Sequence, residues 1–130
     1  MVLRLFAVVA VGVVLLTVSK PMFGHHSAAN YDTDKQIELQ GTVTDFKFAN
    51  PHPLVYFQVK GEDGNVVEWV GESASPPPRW YNSGWRANAL QPGDAITISG
   101  NPMKDGGKML RIRKIVHASG KVWNDGAQRQ

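Results

Sequence analysis

The chain has 130 residues and no cysteine. That removes a disulfide framework and every thiolate metal site, so stability must come from a packed core. It also lacks the short patterns that announce common chemistries. There is no Gly-x-Ser-x-Gly, no His-Glu-x-x-His, no phosphate-cradling glycine loop and no haem-attachment pair. The acids are scattered as Asp32 and Asp34, Glu62 and Asp63, and Glu68 and Glu72, with no pair recommending itself as acid and base. The residues therefore argue for a non-enzymatic protein. A strong basic excess is missing too. The formal charge is +3, but setting aside Arg4 and Lys20 leaves 12 basic against 11 acidic residues from His25 onward. A nucleic-acid partner is not expected from that balance.

Long apolar runs are limited to one. Residues 5–18, LFAVVAVGVVLLTV, form an uncharged stretch behind Arg4, the pattern of a secretory signal helix. At 14 residues it is shorter than the roughly 20 of a membrane-spanning helix. Residues 1–24 are read as a signal peptide, cut after Ser19 or near Gly24, which predicts a periplasmic or secreted protein without a stable membrane span once cleaved. Residues 25–36 follow as a histidine-containing leader. A composition of 42% hydrophobic and 19% charged residues suits one domain.

From Ile37 the text alternates in short runs separated by turn residues. In IELQGTVTDFKF the apolar positions Ile37, Leu39 and Val43 give way to Phe46 and Phe48, so the period of two slips by one. The slip predicts a bulge or bend around Thr44 and Asp45 in a long, coiled first strand, with Gly41 easing the coil. LVYFQVK and VVEWVGE flank GEDGN as a hairpin, while AITISG and MLRIRKIVHA flank KDGGK as another. Between the hairpins, Pro76, Pro77 and Pro78 open a short helical connection interrupted at Gly84. Three strands, a helical link and two strands are the order of a five-stranded OB-fold-like Greek-key barrel over residues 37–118, with a plain β-sandwich as its competitor. Residues 119–130 read as a loose C-terminal tail, in which Trp123 has the option of packing back onto the domain.

The stretches GHHSAANYDTDKQIELQGTV, FANPHPLVYFQV, SGWRANALQPGDAITISG and KDGGKMLRIRKIV resemble the domain of unknown function 6152 family of small exported bacterial proteins. The likeness spans about residues 25–117 and implies a periplasmic OB-like domain, with no activity attached. The family pattern sets His-His-Ser behind an Ala-x-Ala-like cut, where this chain has Met22-Phe23-Gly24.

Without thiols, a metal site must be built on imidazole. Of the four histidines, His25 and His26 lie in the leader and His52 in the turn ANPHP, and these three are the candidate ligands for a copper-class ion. His117, at the end of the last long strand, reads as structural. The alternative is an envelope interaction domain that binds a small organic ligand, a glycan or a protein through aromatic rings at Tyr56, Trp69 and Trp80. The same large rings are also suited to plugging the end of a small barrel, Trp85 above all.

Overall fold

A computed structural model of the chain describes residues 28–125. The expected signal helix and cut site, with His25 and His26, lie outside the described residues. The elements are β1 (Ile37–Lys47), β2 (Leu54–Lys60), β3 (Val66–Glu72), a short helix α1 (Pro77–Asn82), β4 (Ala95–Pro102), β5 (Met109–His117) and β6 (Val122–Asn124). The strands lie in the order β3-β2-β1-β4-β5-β6, and a parallel pairing of β3 with β5 joins the ends. The result is a closed, five-stranded OB-type barrel with β6 added outside the closure, so the sandwich alternative is set aside. Closure removes most of the free edges that a small sheet otherwise exposes.

The long first strand serves both halves of the barrel because it bends. Its register against β2 shifts between Val43 and Asp45, the bulge that the slipped alternation predicted. Val43 faces the core before the shift and Phe46 packs against that core after it. Gly41 is required by close approach: a Cβ there would stand 2.7 Å from the Gln58 carbonyl oxygen and 2.8 Å from the Phe57 ring. Such a contact forces one strand away from the other.

Alternating Val55 and Phe57 on β2, Ile96 and Ile98 on β4, and Leu110, Ile112 and Ile115 on β5 fill the interior. One end is plugged by indoles. Pro77 and Pro78 occupy the first turn of α1, where proline loses no hydrogen bond, and α1 carries Trp80 inward. Trp80 stacks on Trp123 at 4.1 Å and meets Trp85 edge-on at 5.7 Å. All three rings are buried. The helix stops at Asn82, before Gly84 with φ of +80°.

The C-terminal segment corrects the sequence reading in part. Residues 122–124 are not loose: Ile115 pairs with Trp123 and Val116 with Val122. The Asp125 carboxylate then accepts the Ala74 N–H at 2.7 Å and the Ser75 hydroxyl. The cause is the apolar area of one indole, which the tryptophan end of the barrel takes up together with the strand that carries it.

Candidate functional site

Where β3 ends, three segments far apart in sequence meet. Glu72 is the last residue of β3 and pairs in register with Leu54, the first residue of β2. His52 precedes that strand by two residues, so the hairpin register itself brings His52 beside Glu72. The imidazole Nδ1 lies 3.9 Å from Glu72 Oε1. The carboxylate is nearly enclosed, at 8% side-chain exposure, and the imidazole is half open at 37%.

The third segment is the end of the leader. Tyr31 forms a bridge with Met103, flanked by Asp32 N–H to the Pro102 carbonyl at 2.8 Å and Lys104 N–H to the Asn30 carbonyl at 3.0 Å. This pins the backbone to the far end of β4 and turns the buried Tyr31 ring inward. Its hydroxyl donates to Glu72 Oε2 at 2.6 Å. Burial, then the hydrogen bond to Glu72 and that residue's charge, push the phenol pKa well above its usual value, while Arg111 partly opposes them. The phenol is therefore a fixed proton donor that orients the carboxylate.

Ala28, Tyr31, His52, Glu72, Ser73 and Arg111 enclose a pocket of about 90 Å³. At about 30 Å³ of liquid per water, that holds on the order of three waters, or an ion with part of its shell. It offers an imidazole nitrogen and a carboxylate oxygen, one of each, with a guanidinium on the wall. Among the described residues no three His, Cys, Asp or Glu side chains converge.

Of the three candidate metal ligands, the structure places His52 in this pocket, while His25 and His26 fall outside the described residues. Glu72 and Tyr31 were not singled out from the sequence. The register of the GEDGN hairpin, counted outward, sets residue 72 opposite residue 54 and gave access to Glu72. Nothing local in NYDTD signals that Tyr31 reaches across the barrel.

The aromatic alternative is corrected by the geometry. Trp80 is buried in the plug, hydrogen-bonded through Nε1 to Ser73 Oγ at 3.0 Å. Trp69 pairs with the inward-facing Phe57 and packs on the core under Lys108, whereas Tyr56 sits at the next register position, on the opposite face, under Lys47. Strand alternation thus splits Tyr56 from Trp69, and burial removes Trp80, so the three make no common platform. His117 is tied down as a structural group, with Nε2 3.1 Å from Asp94 Oδ2 and Nδ1 accepting the Ser119 N–H at 3.1 Å.

The model of the family of unknown function DUF6152 matches residues 12–111. The chain belongs to that family. No curated protein matches it. Among solved structures it is similar to one described as the crystal structure of tRNA fluorescent labeling enzyme, at 17% identity and a TM-score of 0.43. The match covers 66% of this chain and 18% of that protein, so the chain spans less than a fifth of its length.

Proposed function

We propose that this member of the DUF6152 family is an exported, periplasmic and non-enzymatic binding module that holds a copper-class divalent ion at the pocket beside β3. In this reading His52 and Glu72 are the barrel's ligands, and His25 and His26 of the leader complete the set. The observation that carries it is that Ala28 lines the same pocket as His52 and Glu72. Ala28 is two steps along the chain from His26, a reach of at most about 7 Å, so an imidazole at position 26 has the tether length to join them.

The donor set supports the ion class. Imidazole nitrogen and carboxylate oxygen without any thiol suit Cu(II), with Zn(II) as the competitor. Ligands bonded at about 2.0–2.1 Å stand about 3 Å apart in square-planar and tetrahedral sites. Closing the 3.9 Å between His52 and Glu72 to that value asks for less than an ångström of movement by the half-exposed imidazole. The Tyr31 hydrogen bond plays the part that outer partners play in metal sites generally, fixing the direction of a ligating carboxylate. Arg111 works against a cation and sets the balance at one anionic ligand with neutral imidazoles.

The test is calorimetric titration of the natively exported protein with Cu(II), after sequencing its N-terminus. One ion per chain is expected, with stoichiometric binding lost in His26→Ala and in His52→Ala. Tyr31→Phe should weaken binding about 10–100-fold as an orienting partner, and Arg111→Gln should tighten it. Unchanged affinity in His52→Ala and Glu72→Gln would overturn the assignment.

A further inference from the structure

A second irregularity, in β5, builds a site on the outside of the barrel. Ser99 of β4 faces Lys114 and Gly100 faces Ile112, so Arg113 has no partner across the ladder. That two-against-one count is a bulge, and bulges re-aim side chains. Here Ile112 and Ile115 both remain buried in the core, and the two residues between them, Arg113 and Lys114, are both exposed. An unbroken strand would send one of two consecutive residues inward. The bulge instead places two cations side by side, and both line one groove with Ser99, Asn101 and Asn124.

Arg113 is held in place. Its Nε donates to Asn101 Oδ1 at 2.7 Å, and the same amide donates from Nδ2 to the Lys35 carbonyl at 2.6 Å. Asn101 is itself buried, so the guanidinium is fixed by its Nε edge while its two terminal nitrogens remain as a fork. Such a fork matches the paired oxygens of an oxyanion. Two carboxylates lie near the groove, and among the described residues neither is ion-paired with its cations. Asp125 borders the groove with its oxygens committed to Ala74, Ser73 and Ser75. Glu38 is the direct cross-strand partner of Ser99, so its exposed side chain shares that outer face one strand beyond Lys114. Among the described residues no ion pair involves Arg113 or Lys114.

We propose that this groove binds a small oxyanion, with the Arg113 fork and the Lys114 ammonium taking its charge and Ser99 and Asn124 its remaining oxygens. The shared chemistry is a carboxylate, phosphate or sulfate group, free or borne on an acidic sugar. The site stands apart from the copper pocket and does not depend on it.

The test is titration of the full exported chain, at ionic strength held constant with chloride, with phosphate, sulfate, acetate and galacturonate in turn, followed by two-dimensional amide NMR that includes the arginine Nε–H signals. Saturable shifts centred on Arg113, Lys114, Ser99 and Asn124 are expected, and the order of affinities identifies the oxyanion. The double variant Arg113→Gln, Lys114→Gln should lower affinity by tenfold or more, the loss of one charged hydrogen bond being about tenfold. Its remaining spectrum should stay unchanged, and His52→Ala should bind as the parent does. Shifts that never saturate, that chloride reproduces, or that persist in the double variant would overturn the proposal.

Discussion

Replacing Trp123 by alanine tests whether the last strand belongs to the barrel. The ring is 1% exposed and stacked on Trp80 with planes 19° apart. Trp85 Nε1 also donates to the Val122 carbonyl of the same strand at 3.3 Å. Truncating a buried tryptophan costs about 3–5 kcal/mol. The lower end applies, because among the described residues the buried Trp123 indole N–H has no acceptor, a penalty of about 1–3 kcal/mol that the native state already carries. For an ordered unit of roughly 100 residues, 3 kcal/mol corresponds to a fall in Tm of about 15 °C. Thermal and urea unfolding followed by far-ultraviolet circular dichroism measure it without relying on tryptophan emission. Trp123→Phe should cost about 1 kcal/mol or less, since it keeps a ring on Trp80 and removes the unpaired N–H. A loss below about 1 kcal/mol in Trp123→Ala would refute the reasoning, because a strand that matters so little is a tail resting on the barrel.

Two further outcomes follow from the same geometry. Gly100→Ala should destabilise the barrel by about 2–3 kcal/mol in urea unfolding. Its Cβ would lie 2.8 Å from Leu110 Cδ1 and 2.9 Å from the Arg111 carbonyl carbon, and closer still to that carbonyl's oxygen, which a paired strand cannot withdraw. Stability should also fall on the alkaline side because of Tyr31. Its folded pKa is raised, first by burial and then by Glu72, so the unfolded chain loses the proton first. The contribution is complete below the ordinary tyrosine value of about 10 and declines as pH rises through it. Urea midpoints across that range should drop less steeply in Tyr31→Phe than in the parent, and parallel slopes would show that the phenol is not the group concerned.

How much of this the sequence made legible depends on the range of each interaction. The barrel order, both hairpins and the bulge at Thr44 and Asp45 are written in local alternation, and there the pattern is unambiguous because Phe46 and Phe48 announce the new phase. The bulge in β5 is written in the same code. Leu110, Ile112 and Ile115 slip by one just as Val43 and Phe46 do, but the slipped positions are Arg113 and Lys114, and charged residues are compatible with an exposed face in either register. The pocket at the end of β3 was legible only at His52. Glu72 enters through hairpin register and Tyr31 through a hydrogen bond spanning 41 residues, and no periodicity encodes a contact of that range. The reading of Tyr56, Trp69 and Trp80 as one surface erred for a related reason. Tyr56 and Trp69 do lie on paired neighbouring strands, yet alternation sends them to opposite faces, and the core takes Trp80 from the helix.

The leader changes meaning in the folded chain. Ala28 and Tyr31 form part of the wall of the His52 and Glu72 pocket, while Thr33 and Gln36 border the groove of Arg113 and Lys114. Residues 28–36 are therefore shared between both candidate sites, and the interaction that fixes them is the bridge from Tyr31 to Met103 together with the phenol's bond to Glu72. The bridge and the phenol's bond thus order one short segment that borders both sites, while each site keeps its own set of polar side chains.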